Sequence, residues 1–314
     1  MKSPLRIGTR GSALALCQAN QLRQAVTRLS KVATEIVVIR TSGDRLPGAS
    51  FDQIGVKGVF IKELEDALVD GRADLAVHSM KDVPTQVSEA CRLAVVFPRE
   101  DPRDALVSRQ GERLEQLPRR ARIGTSSLRR ASQLLVFRQD FEIVALRGNV
   151  DTRLRKLEAG ECEALVLAKA GLDRLGLSSR ITEVLSPEVM VPAVGQGALG
   201  VEFLEARQDE FRFLDGLVDM ETMLALEAER ALLAELQGGC RLPLGGWARC
   251  DRGTMTVDAC VLSAGGTESL RRSGKGVCHS PAEAAALGGR VAQELLAGGA
   301  DRLLRLAGRS VGQA

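Results

Sequence analysis

Arginines recur where a strand-like run hands over to a helical one. Arg10 lies in RIGTRGSALAL, Arg129 and Arg130 in RIGTSSLRRAS, and Arg147 and Arg153 in VALRGNVDTRL. A helix N-terminus carries partial positive charge and is a poor place for cations. The placement makes sense if an anion joins them, because backbone N–H groups at a helix start bind that same anion. The flat guanidinium fork fits carboxylate or phosphate. The chemistry expected is recognition of a ligand that carries several negative groups.

Other residues offer reactive chemistry. Asp82, beside Lys81 in HSMKDVP, follows the apolar run ADLAV and so falls at a strand's carboxyl end, where open α/β sheets bind ligands. A fixed carboxylate there stabilises developing positive charge; the plainer reading is a turn Asp capping backbone amides. His78 reads as a packed strand-end histidine. Cys240, in LQGGCRLPLGG, has flanking glycines that allow close approach and Arg241 beside it to favour thiolate; a buried turn cysteine is the alternative. The other six cysteines read as structural. Lys57, in IGVKGVF, closes a Gly- and Ser-rich loop able to fold over an anion. Ser12, Thr125, Ser126 and Ser127 sit at helix starts, as N-caps or as hydroxyl contacts to ligand.

The elements that must position these residues alternate. Strand-like LRIGTR, TEIVVIR, ADLAVHS and LAVVFP are interleaved with helix-like SALALCQANQLRQAVTRL and FIKELEDALV, the latter stopped by Gly71. The order then restarts with ARIGTSS, SLRRASQLLVFRQD, FEIVALR, VDTRLRKLEAGE and EALVLAKAGLDRLG. RIGTRGS and RIGTSS are near-repeats, which predicts two similar α/β lobes with ligand between them. Gly-rich AVGQGALGVEF reads as the crossing back to the first lobe. A long helix ending at Gly238 and Gly239, three strands, and a helix with Ser280 as N-cap and Pro281 at its first position complete a small α+β region.

Composition narrows the function. The 314 residues carry a net charge of only +3, and aromatics make up 3% with no Tyr, so a nucleic-acid binder is disfavoured. Seven Cys without a C-x-x-C pair, and two His, indicate neither a disulfide framework nor a metal site. No apolar run approaches a membrane span. The expectation is a reduced, cytoplasmic protein that acts on small molecules, with no nucleic-acid or membrane partner. A non-enzymatic anion-binding module is the competing class.

The segments RIGTRGSALAL, GVKGVFIKELE, ADLAVHSMKDVP, EDPRDALVS, IGTSSLRRASQL, LRGNVDTRLRKL, LAKAGLDRLGL, VPAVGQGALG and LQGGCRLPLG together resemble the porphobilinogen deaminase family. The resemblance implies an enzyme condensing four porphobilinogen molecules into the linear tetrapyrrole hydroxymethylbilane, releasing ammonia each time, on a dipyrromethane cofactor held by a cysteine thioether. Cys240 matches that cysteine and Asp82 the catalytic carboxylate. Lys81, Ser127, Arg129 and Arg130 would bind cofactor; Arg10, Ser12, Arg147 and Arg153, with Lys57 in a lid, would bind substrate. The implied fold is two α/β lobes like those of type II periplasmic binding proteins plus an α+β C-terminal domain: residues 1–98 with 196–216, residues 99–195, and residues 217–314. A monomer without metal is expected. Val56 replaces a family glycine before Lys57, and Lys169 stands where smaller residues are common.

Overall fold

The computed structural model describes residues 4–40, 61–237 and 242–311, with side chains described to residue 307. Strands β1 (Leu5–Thr9), β2 (Thr34–Val38), β3 (Leu75–Ser79) and β4 (Cys91–Val96) come first. Strands β5 (Asp104–Ser108), β6 (Arg122–Gly124), β7 (Glu142–Val144), β8 (Ala164–Ala168) and β9 (Glu183–Val184) follow. Then come β10 (Leu199–Leu204), β11 (Leu244–Asp251), β12 (Thr254–Leu262) and β13 (Ser269–Val277). The helices are α1 (Ala13–Ser30), α2 (Lys62–Val69), α3 (Leu128–Phe137), α4 (Val150–Glu158), α5 (Lys169–Arg174), α6 (Met220–Glu235), α7 (Pro281–Ala297) and α8 (Ala300–Val311).

The chain forms two compact units, residues 1–99 with 198–222, and residues 100–197 with 223–314. The first holds a sheet in the order β2-β1-β3-β10-β4. Strand β1 is parallel to β2 and β3, while β10 runs antiparallel to β3 and β4. The Gly-rich stretch read as a crossing therefore leads into β10, a strand of the first sheet. Alternation of side chains sorts the core. Leu75 and Val77 pack with Leu22 and Val26 of α1, and Ala76 packs on the other face with Leu64 and Leu68 of α2.

The second unit holds a sheet in the order β7-β6-β8-β5-β9, with β6 parallel to β7 and β8, and β5 antiparallel to β8 and β9. This is the pattern of the first sheet, strand for strand, and the two RIGT runs occupy equivalent strands β1 and β6. The equivalence extends to a clasp. Arg6 uses its backbone N–H, Nε and Nη2 to grip Asp74 at 2.9, 3.0 and 3.2 Å. Arg122 grips Glu163 with the same three donors at 2.8, 3.2 and 2.7 Å. Each acid stands immediately before the strand paired with its arginine's own. Here too the two faces are apolar: Leu106, Ile123 and Val166 with Leu134 of α3, against Ala105, Val107 and Leu165 with Leu154 of α4.

A three-stranded antiparallel sheet, β11-β12-β13, belongs to the same unit. Its apolar face, with Val257, Ala259 and Val261, packs on Ala228 and Leu232 of α6 and Leu287 and Val291 of α7. It is joined by polar bonds to helix α3 and to the turn that follows it. Ser132 Oγ donates to the Ala264 carbonyl at 3.1 Å and Gln139 Nε2 to the Gly266 carbonyl at 2.9 Å.

Gly71 has φ +65 and follows the end of α2. The Ser280 hydroxyl accepts from the Glu283 N–H while Glu283 reaches back, and Pro281 opens α7. Sequence patterning passes over β5, β9 and α8, and over the 3₁₀ stretch Glu205–Leu217. The expected loop over residues 41–60 and the helix stop at Gly238 and Gly239 lie outside the described residues.

Candidate functional site

In the first unit, β1 and β3 are parallel neighbours, so their carboxyl ends share one edge. Arg10 follows β1 there, half-buried. The Ser12 hydroxyl accepts from the Ala15 N–H at 3.3 Å, the capping role. Lys81 and Asp82 occupy a 3₁₀ turn, Met80–Asp82, directly after β3. The turn is pinned from below: Met80 and Val83 are buried, and the Met80 N–H donates to the Ala198 carbonyl at 3.0 Å. Asp82 itself is exposed, a carboxylate held out by an anchored backbone.

Beneath that strand end lies a group of buried titratable side chains. His78 Nε2 is 2.9 Å from Glu202 Oε2, and both are nearly excluded from solvent. Burial, reinforced by Glu202, raises the Glu65 carboxyl above the usual range. Burial and the same two acids push the Cys91 thiol up to about 12, so it is an inert core group. Each of the six described cysteines is a free thiol.

In the second unit, α3 and α4 start at the carboxyl ends of β6 and β7. Ser127 holds the N-cap position of α3 without a side-chain cap bond; its N–H donates to Thr125 Oγ1 at 3.2 Å. Ser126 Oγ donates to the Leu146 carbonyl at 2.8 Å. Arg129 and Arg130 are buried. Both meet Asp104, which the reading from residues alone passed over. Strand β5 runs antiparallel, so its first residue lies opposite Ala168 at the end of β8, on the edge where the arginines sit. Arg129 Nη1 donates to Asp104 Oδ2 at 2.7 Å and to the Val191 carbonyl at 2.7 Å. Arg130 Nε and Nη2 donate to Asp104 Oδ1 at 3.0 and 2.7 Å, and Gln196 Nε2 adds a bond to the same oxygen at 2.9 Å. Burial opposes ionisation of Asp104, yet the two guanidiniums hold its carboxyl far below the usual range.

Arg153 completes this patch. Its Nε donates to the Gly148 carbonyl at 2.9 Å. Gly148 has φ +112, a conformation side chains resist, which turns that carbonyl toward the first turn of α4. Burial and then the Arg130 charge bring Arg153 down to about 10. Among the described residues no acid is paired with Arg153. Arg147 follows β7, half-buried. Lys169 spends its charge locally, 2.5 Å from Asp173 and 3.9 Å from Asp101. Cys240, Arg241 and Lys57 lie outside the described residues. The acid's signal in the sequence was a charged residue opening the otherwise apolar run DALV; its partners are 25 and 26 residues away and only the fold brings them together.

Among the described residues no group of three or more His, Cys, Asp or Glu could hold a metal ion, and no helix is long and apolar enough to cross a membrane. Each lobe places cations at the carboxyl ends of its parallel strands, the edge at which open α/β proteins bind ligands. Residues 5–211 match the family model "Porphobilinogen deaminase, dipyromethane cofactor binding domain", and residues 223–297 match "Porphobilinogen deaminase, C-terminal domain". The chain is 47% identical over 302 residues to the porphobilinogen deaminase of Syntrophobacter fumaroxidans, covering 96% of each. It is 51% identical over 277 residues to that of Sorangium cellulosum, covering 87% of this chain and 91% of the other. The chain belongs to the porphobilinogen deaminase family. Solved structures similar to it include the periplasmic VFT2 domain of Bordetella pertussis BvgS, with 14% identity, TM-score 0.42 and coverage of 67% and 85%. A periplasmic binding protein of Salmonella typhimurium with high arginine specificity has 14% identity, TM-score 0.40 and coverage of 70% and 94%.

Proposed function

We propose that this chain condenses porphobilinogen head to tail into hydroxymethylbilane, with loss of ammonia at each addition, in tetrapyrrole biosynthesis. The observation that carries the reading is the guanidinium patch of buried Arg129 and Arg130 with half-buried Arg153, in excess over the one acid paired with it among the described residues, within the region matched by the cofactor-binding family model. Porphobilinogen carries an acetate and a propionate, so a growing chain of pyrroles accumulates carboxylates that such a patch would neutralise. The donor set suits the family's dipyrromethane in the same way, since its pyrroles bear the same acid groups. When bound, that cofactor supplies a tethered pyrrole with a free carbon position for the first condensation.

The roles of this chain's residues are those that the family resemblance gives to the matching positions. Cys240 holds the thioether. Arg129 and Arg130, with Ser127 and Lys81, fix the cofactor's carboxylates. Arg10, Ser12, Arg147 and Arg153 take those of incoming porphobilinogen, and Lys57 belongs to the lid. Asp82 stands out from its anchored turn as an acceptor for a pyrrole N–H. Its carboxylate stabilises the positive charge that develops on porphobilinogen as ammonia departs. The reading includes a monomeric cytoplasmic enzyme with no nucleic-acid or membrane partner.

Intact-mass measurement of the denatured, purified protein tests it. The expected result is an excess mass of two pyrrole units that maps to Cys240; an unmodified chain with full turnover would sink the assignment. Asp82→Ala should stay folded by circular dichroism and lose at least about 100-fold in turnover. Normal turnover in that variant would make Asp82 a structural turn residue.

A further inference from the structure

The arrangement around Asp104 poses a question of charge. A fully buried acid between two guanidiniums is not in itself a stabilising device, because desolvation offsets most of the attraction. A structural pairing also needs only one cation per acid. Here Arg129 and Arg130 share one carboxylate and the charge of Arg153 is felt at Arg130, so that among the described residues the three cations exceed that acid by two. Asp104 is saturated: its Oδ1 accepts from Arg130 Nε, Arg130 Nη2 and Gln196, and its Oδ2 from Arg129. Gln196 is held in turn by donating to the Pro102 carbonyl at 2.6 Å. Carbonyls bear the remaining load, Val191 on Arg129 and Val166 on Arg130. Both guanidiniums are therefore fixed from the protein side, Arg129 through Nη1.

We propose that Asp104 is a positioning residue for carboxylate recognition: it locks Arg129 and Arg130 into one layer and trims the patch to the two charges that match one pyrrole unit's acetate and propionate. This rests on the function proposed above and deepens it. Without the Asp104 charge, Arg129 and Arg130 repel each other and lose their shared anchor. A bound carboxylate then becomes the replacement partner. Loss of Asp104 is thus felt most by a chain that lacks the tethered pyrroles.

Four chains test this by thermal unfolding at pH 7: the parent and Asp104→Asn, each with Cys240 intact or as Cys240→Ser, which cannot hold the cofactor. Asp104→Asn should lower the midpoint by on the order of 10 °C in the Cys240→Ser background and by roughly half as much in the loaded chain. Equal losses in both backgrounds overturn the proposal and leave Asp104 a core ion pair. A folded Asp104→Asn chain with Cys240 intact but no added mass overturns it, since no bound carboxylate has then taken the place of Asp104. Should the doubly substituted chain not fold, Gln196→Leu, which removes a donor to Asp104 and no charge, is measured in the same pairs. A smaller loss in the loaded chain supports the proposal and an equal or larger loss there overturns it. Absence of added mass on the parent chain strikes instead at the function on which the proposal stands.

Discussion

Replacing Arg153 by Met should make the unloaded chain more stable and the enzyme worse at binding. In the folded chain the guanidinium is desolvated and faces Arg130, and it drops from its ordinary value to about 10. That drop corresponds to about 3 kcal/mol against the cation, and to roughly half of that once partial exposure is allowed for. The sign follows from a base depressed in the folded state. The penalty is present at every pH below about 10 and fades as the proton leaves above it. At pH 7 the variant therefore gains about 1.5 kcal/mol in urea unfolding of the Cys240→Ser chain, less whatever packing the longer side chain supplied. A charge-assisted bond to a carboxylate contributes about 1.5–3 kcal/mol, so the loaded variant should show a KM for porphobilinogen raised about 10- to 100-fold. A variant that is clearly less stable, with KM unchanged, would refute the reasoning and make Arg153 a packing residue.

Two further perturbations test the frame around the site. Asp74, gripped by Arg6 and Arg207, is brought down to about 2 although its burial opposes this. Its contribution is complete above the unfolded carboxylate value and is lost as pH falls through about 2. Asp74→Asn should therefore cost about 2 kcal/mol at pH 7 and nothing near pH 2, flattening the acid-unfolding curve between about pH 4 and pH 2; a cost independent of pH would contradict this. At Gly288 in α7, an added Cβ would lie 1.9 Å from the Ala228 carbonyl oxygen of α6, whereas at Gly289 nothing lies within 4 Å. Gly288→Ala should destabilise by about 2 kcal/mol or more and Gly289→Ala should stabilise by about 0.5–1 kcal/mol, both read by urea unfolding. Matching signs would show that helix propensity, not contact, decides both.

What could be read along the chain was whatever depends on near neighbours. Strand alternation, the stop at Gly71 and the Ser280–Pro281 start need only a few residues of context, and all are present. The RIGT repeat announced a duplicated architecture because the same turn chemistry begins the same strand–helix unit. Short strands are harder. Strand β9 has two residues, too few for any period to register, and β5 opens with Asp104, which breaks the expected apolar run. The arginines were found because their position at helix starts is a local anomaly. Their acid was not, because an antiparallel strand delivers it from elsewhere. Arg6 and Arg122 were passed over for a similar reason: each clasp closes over a long stretch of chain, 68 residues in one case and 41 in the other.

The strand order also dictates a timetable for biosynthesis. Among the described residues strand β4 pairs with β10 alone, and β10 is made more than a hundred residues later. As the polypeptide leaves the ribosome, the described residues up to Val96 carry four strands of this sheet with a slot where β10 belongs, and the slot stays open until Leu204 emerges. The second five-stranded sheet has all its strands once Val184 is out. The middle of the polypeptide can thus close before its beginning does, and a nascent chain halted between the two points presents an unfilled strand edge to chaperones and to other chains.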